Sequence, residues 1–244
     1  MSVRLAMWSG PRNISTAMMR AWENRSDTTV WDEPLYAHYL QATGLDHPMR
    51  DAVIADGLTA WQDAADRATG PIPDGNSVFY LKHMTHHLLP SIDREWLGQL
   101  AHVFLVRDPR EVLLSYLRSM EEVNLHGIGF QQQAELYYWL IDHGHPAPLV
   151  IDSRDFFRNP HKNLIKICDY IGGEFRDGML SRLAGPRATD GAWEPHWYAS
   201  LEASTGFAPW RESTGKLSPE QTAIEHAARP FYDRLCGHCW QSAD

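Results

Sequence analysis

Cysteine is scarce in this chain. Three thiols in 244 residues are too few for the disulfide framework of a small secreted scaffold, and a reducing, cytoplasmic setting suits them. Long apolar runs are also missing. No stretch approaches the roughly 18 uninterrupted apolar residues of a membrane span, and the N-terminus reads as a short strand rather than a basic segment followed by an apolar one and a cleavage site. Basic residues are outnumbered, 22 Lys and Arg against 31 Asp and Glu, for a formal net charge of −9. That balance argues against a nucleic-acid surface. Internal repeats and low-complexity segments are absent too. What remains is 43% hydrophobic and 22% charged residues, enough for a packed core, over a length that fits a single α/β domain spanning residues 1–244.

Periodicity and punctuation give alternating strands and helices. Strands are expected at Val3–Met7, Thr28–Trp31, Ser77–Leu81, His102–Val106 and Leu149–Ile151. Helices are expected from Ile14 to about Arg25, Leu35 towards Gln41, Met49 to Arg67, Pro109 to about Met120, Phe130 to Asp142, Pro160 to Ile171, and Ser218 to about Cys236. Several apolar strands separated by helices predict a three-layer α/β/α arrangement around a mainly parallel sheet. Ligands of such sheets bind beyond the carboxyl ends of the strands. Asp32-Glu33, Lys82-His83, Arg107-Asp108 and Asp152-Ser153 all fall there, so an acidic protein still gathers cations on one rim.

The first strand runs into Ser9-Gly10-Pro11-Arg12-Asn13-Ile14-Ser15-Thr16 and then a helix. Strand, tight loop with a cation, paired hydroxyls and helix N-terminus together make a phosphate-sized anion site, because the first helical N–H groups lack intrahelical partners and carry positive partial charge. A Walker loop would add a second Gly and a Lys. Both are missing, and Arg12 supplies the charge. A second constellation runs from Leu105 through Arg107-Asp108-Pro109-Arg110-Glu111 to Ser115-Tyr116. Arg107 ends a strand and Ser115 lies about two turns into the next helix, a spacing that holds a second anion. Asp108 as cap and Pro109 as first helical residue account for the same stretch as plain turn chemistry.

Together the two stretches resemble the sulfotransferases that use 3'-phosphoadenosine 5'-phosphosulfate. Pro11-Arg12-Asn13-Ile14-Ser15-Thr16 is similar to their 5'-phosphosulfate loop, with Arg for Lys, Ile for Gly and Ser for the first Thr. Arg107 to Tyr116 is similar to their 3'-phosphate motif. Ser153-Arg154-Asp155-Phe156, Asn159-Pro160 and the helix ending at Gly172 echo a third segment, so the likeness spans roughly Arg4 to Gly173. It implies a P-loop-type fold, the phosphosulfate nucleotide as donor substrate, no metal, and a small-molecule acceptor. Arg12, Ser15 and Thr16 would hold the leaving phosphate, and Arg107 and Ser115 the 3'-phosphate. For the base that takes the acceptor's proton, Glu33 and His83 are candidates, Glu33 preferred, with Lys82 near the sulfonate. Trp210 to Lys216 is the sole candidate for the family's closing C-terminal segment.

Acceptor recognition falls to regions about 35–70 and 185–215, where no motif appears. Two enzyme classes and one binding class stay open at this point: the sulfotransferase, a P-loop phosphotransferase or hydrolase, and a nucleotide-binding protein without catalysis. Ile14 in place of Gly supports the last. Cys236-Gly237-His238-Cys239 has oxidoreductase spacing but follows a helix rather than preceding one, where its thiolate would lack support. His83, His86 and His87 lack the ligand pattern of a zinc site and read as pocket lining or surface.

Overall fold

The computed structural model describes residues 2–118, 122–181, 184–198 and 204–240. Five strands, β1 (Val3–Ser9), β2 (Thr28–Asp32), β3 (Val78–Met84), β4 (Ala101–Val106) and β5 (Leu149–Asp152), form one sheet in the order β2-β3-β1-β4-β5. Every pairing is parallel, as the helix between each pair of strands demands. The helices are α1 (Ser15–Glu23), α2 (Tyr36–Thr43), α3 (Arg50–Asp56), α4 (Trp61–Thr69), α5 (Pro109–Tyr116), α6 (Phe130–Asp142), α7 (Ser153–Arg158), α8 (Pro160–Tyr170), α9 (Glu194–Trp197) and α10 (Pro219–Cys236).

Strand alternation divides the core into two layers. Leu5, Met7, Val30, Tyr80, Val103, Leu105 and Ile151 face Met18, Met19 and Trp22 of α1 and Leu164 and Ile167 of α8. Ala6, Trp8, Phe79, Leu81, Phe104 and Val150 face Ala64, Ala65 and Ala68 of α4, Leu136 and Leu140 of α6, and Ala228 and Leu235 of α10. The fold is therefore the expected three-layer α/β/α sandwich. Both faces are covered, which is why the strands read as near-continuous apolar runs. No helix among the described residues is long and apolar enough to cross a membrane.

Local chemistry explains the element ends. Asp108 accepts from the Arg110 N–H and Pro109 opens α5, as expected for a cap and first helical residue. Ser218 and Gln221 close a reciprocal capping box on α10. Two expectations need correction. The helix predicted over Met49–Arg67 is two helices: α3 stops at Gly57, where a Cβ would lie 2.6 Å from the Ala37 Cβ of α2. Close approach of α3 to α2 takes precedence over helix continuity. The helix predicted from Pro109 to Met120 ends at Tyr116, and Met120 lies outside the described residues. Between β5 and α8, the short helix α7 is an addition, capped by Asp152.

Candidate active site

A cleft of about 440 Å³ opens beyond the carboxyl ends of the strands. It brings together Pro11, Arg12, Asn13, Ile14, Ser15, Thr16, Glu33, Lys82, Arg107 and Ser115, every expected site residue except His83. One end is built by the loop between β1 and α1. Gly10 passes so close to the chain that a Cβ there would lie 2.7 Å from the Ile128 carbonyl oxygen, which requires glycine. Arg12 then takes a left-handed conformation, φ 57°, uncommon for a side-chain-bearing residue and concentrated at functional positions. Its carbonyl accepts from Arg107 Nη1 at 2.5 Å and its own Nε donates to Ser115 Oγ at 3.1 Å. Asn13 Nδ2 ties the loop to the Leu105 carbonyl at 2.9 Å. The two sequence motifs are thus hydrogen-bonded parts of one site.

Ile14 departs from the glycine of the resembling loop without disturbing it. Its φ is −85°, a conformation open to any residue, and its side chain packs among Met18, Val30 and the other residues of the α1 layer. No side chain among the described residues caps α1, so its first N–H groups remain available to a ligand. Arg12 has no carboxylate partner among the described residues, whereas Arg107 pairs with Glu111 at 3.3 Å. Burial, and the positive charges of Arg107 and Arg118, depress the Arg12 pKa. Cations gathered against their mutual repulsion are what an anionic ligand would relieve.

The other end is built on β2 and β3. Asp32 and Lys82 are cross-strand partners, side by side on the α1 face of the sheet. Lys82 Nζ donates to Asp32 Oδ1 at 2.7 Å, Glu33 Oε1 at 2.5 Å and Tyr198 OH at 2.8 Å. These partners match all three donors of an ammonium. Tyr198 OH donates to Asp32 Oδ2 at 2.7 Å and accepts from Trp193 Nε1 at 3.1 Å. Burial and the two carboxylates have opposite effects on Lys82, and the carboxylates prevail, raising its pKa well above the ordinary value. Glu33 follows β2 with φ 41°, turned out of the strand, not set in a helical first turn. Burial, opposed by Lys82 and reinforced by Asp32, pushes its carboxyl up to about 7, the range of a working general base.

His83 does not join them. One residue after Lys82 in β3, it faces the opposite layer, where it stacks on Trp8 at 4.3 Å and neighbours Trp96. Burial lowers its pKa to about 3, which suits a neutral core residue. Strand alternation thus places the candidate base His83 outside the cleft, against the expectation.

Several contributors come from the regions expected to recognise the acceptor, where no motif singles them out: Trp193 and Tyr198 after Gly185, and Tyr36 and His47 near Glu33. His86 and His87 are pocket lining as expected. Trp210 to Lys216 does not line the cleft. Trp210 lies under the guanidinium groups of Arg154 and Arg158, and the Gly215 carbonyl accepts from Arg110. Ser204, Gly206, Phe207 and Ala208 just before it line the cleft instead. Cys236 and Cys239 lie apart from the cleft, where Cys239 bridges to Val150.

Comparison with known proteins bears on the fold and the family. Two Arabidopsis thaliana proteins, branched-chain-amino-acid aminotransferase-like proteins 1 and 2, are 32% and 33% identical over 97% and 82% of this chain. The chain spans 42% and 35% of their respective lengths. Among solved structures, the sulfotransferase domain from the curacin biosynthetic pathway superposes with a TM-score of 0.57 at 16% identity, covering 94% of this chain and 98% of that one. A sulfotransferase from Alicyclobacillus acidocaldarius gives 0.54 at 11% identity, covering 98% of each. These two share the fold. The family model described as the sulfotransferase domain matches residues 3–238, and the chain belongs to that family.

Proposed function

We propose that the chain transfers a sulfuryl group from 3'-phosphoadenosine 5'-phosphosulfate to a hydroxyl or amine of a small molecule. The observation that carries this reading is the continuity of one cleft from the Arg12–Ser115–Arg107 cluster to the Glu33–Lys82 pair. A donor with anions at both ends suits the first cluster, where Arg12 has no carboxylate partner among the described residues. A proton acceptor of pKa about 7 suits the second.

Sulfuryl transfer needs an acceptor oxygen or nitrogen in line with the leaving oxygen, a site for its proton, and cations for the charge that develops on the departing phosphate. In this reading Arg12 and the α1 N-terminus, with Ser15 and Thr16, receive that charge. Arg107 and Ser115 hold the second phosphate, and Pro11, Asn13 and Ile14 shape the loop. Glu33 is the destination of the acceptor's proton. Lys82, whose donors are taken by Asp32, Glu33 and Tyr198, fixes Glu33 in place; when Glu33 gains a proton its hold on Lys82 weakens and one ammonium donor turns free for the reacting group.

The test is donor turnover by the purified chain with a panel of hydroxyl and amine acceptors. Arg12→Ala and Glu33→Gln should each lower it by about 10²–10⁴-fold, the range for losing a charge-stabilising or proton-accepting group. Unchanged turnover in both variants contradicts the assignment.

A further inference from the structure

His87 belongs to neither sequence motif, yet it occupies the centre of the acceptor-side wall. It ends the short 3₁₀ turn Thr85–His87 that follows β3 and is 3% exposed. Tyr36 and Tyr39 of α2 both stack on its ring, with centroids at 4.5 and 4.7 Å, and Trp193 meets Tyr36 edge-on at 5.1 Å. With its faces covered, the imidazole acts through its edges. Nδ1 lies 3.8 Å from Glu33 Oε2 and is sealed from solvent without a hydrogen-bond partner among the described residues. Nε2 is the ring's other nitrogen, on a side chain that lines the cleft. On the carboxylate, Oε1 is taken by Lys82, and Oε2 is the oxygen that faces His87.

We propose that His87 passes the acceptor's proton to Glu33, taking it at Nε2 from the acceptor hydroxyl and delivering a different one from Nδ1 to Glu33 Oε2. This rests on the sulfuryl-transfer reading above. The acceptor oxygen forms its bond to sulfur while the bond from sulfur to the leaving phosphate oxygen breaks, and the electron pair departs on the phosphate. The O–H proton goes to Nε2 and the Nδ1 proton goes to the carboxylate. The imidazole changes tautomer and is neutral before and after. The 3.8 Å gap has to close to hydrogen-bond length in the ternary complex, as catalytic hydrogen bonds commonly do on substrate binding.

The surroundings favour a relay over a stored charge. Facing His87 are Glu33 and Lys82 at the ends of β2 and β3, His83 beyond the sheet, His86 beside it, and Tyr36, Tyr39 and His47 from α2 and the loop after it. Burial, then His86, His47, Lys82 and His83, hold its pKa well below that of free imidazole, while Glu33 is raised to about 7. An imidazolium is the less stable resting place and the carboxylic acid the more stable one. In the serine-protease arrangement of the same two groups the carboxylate stays ionised; here the order of basicity is reversed.

Two measurements on the full chain decide the matter. In ¹⁵N-histidine-labelled protein near neutral pH, with His87 assigned by comparison with His87→Phe, the expected signal is a neutral Nδ1–H tautomer that shifts in Glu33→Gln. An Nε2–H tautomer or an imidazolium overturns the relay, and this readout stands whether or not the donor is the phosphosulfate nucleotide. With that donor and the acceptor panel, His87→Gln and the ring-preserving His87→Phe should each lose about 10²–10⁴-fold in kcat while still binding adenosine 3',5'-bisphosphate as the wild type does. The solvent isotope effect should show two protons in flight in the wild type and one in His87→Gln. Wild-type kcat in either variant overturns the proposal. Failure of the bisphosphate to bind the wild type overturns the sulfuryl-transfer reading instead.

Discussion

Two side chains in left-handed backbone stand at the two ends of the cleft, Arg12 at φ 57° and Glu33 at φ 41°. Each conformation is disfavoured for a residue with a Cβ, and each aims a charged group at the same space. For Glu33 the consequence is a pH profile. A carboxyl raised to about 7 must be ionised to accept a proton, so kcat/KM should rise with pH through about 7, and this limb should vanish in Glu33→Gln. The stability effect has the opposite sense. Because the folded pKa lies above the unfolded one, Glu33's contribution is fully present below about 4.5 and is lost as pH rises towards 7, so Glu33→Gln should raise the urea midpoint at pH 8 more than at pH 4. Arg12, Arg107 and Ser115, read from local patterns of adjacent residues, do line one candidate cleft. His83 adjoins Lys82 in sequence but faces away from the cleft, because a strand sends neighbours to opposite faces. Tyr198 and Trp193 fall in a region expected to face the acceptor, but no local pattern singles them out, since their positions are set by long-range contact with Asp32 and Lys82.

At the level of elements, the loop between β1 and α1 depends on Gly10 more than on the position filled by Ile14. A Cβ on Gly10 would strike a backbone carbonyl, so Gly10→Ala should displace the loop and weaken both nucleotide affinity and thermal stability. Ile14→Gly, which empties part of the α1 layer, should lower stability without improving turnover; the two variants are compared by melting curves and donor titration. Helix α10 offers a separate check. Removing its cap with Ser218→Ala should cost about 1 kcal/mol, read as a shift in the denaturation midpoint, with donor binding unchanged. Strand and helix order followed directly from apolar period and Gly/Pro punctuation. The division of Met49–Arg67 into α3 and α4 did not, because Gly57 is required by the approach of Ala37, a tertiary contact that no local pattern encodes.

Across the whole molecule the charge distribution runs against the composition. The chain carries a net −9, yet Arg12 and Arg107 converge with the α1 N-terminus on one mouth of the cleft. Burial also holds several histidines neutral, His86 and His87 beside the cleft and His83 and His102 in the opposite layer: His83 and His86 are lowered to about 3, His102 to about 4, and His87 well below 6.5. The unfolded chain takes up protons near pH 6.5 that these groups refuse when folded, so this stability is present above that pH and is lost as pH falls towards 3. A urea midpoint lower at pH 5 than at pH 7.5 is the expected result. The central claim is that two anion-binding stretches, far apart in sequence, hold one nucleotide with phosphates at both ends. Titration calorimetry with adenosine 3',5'-bisphosphate, set beside ATP with magnesium, tests it most directly. The bisphosphate should bind and ATP with magnesium should bind more weakly, with Arg12→Ala and Arg107→Ala each weakening the bisphosphate by roughly tenfold to a hundredfold, the value of a charged hydrogen bond. Tight binding of ATP alone, or bisphosphate affinity indifferent to Arg107→Ala, would contradict it.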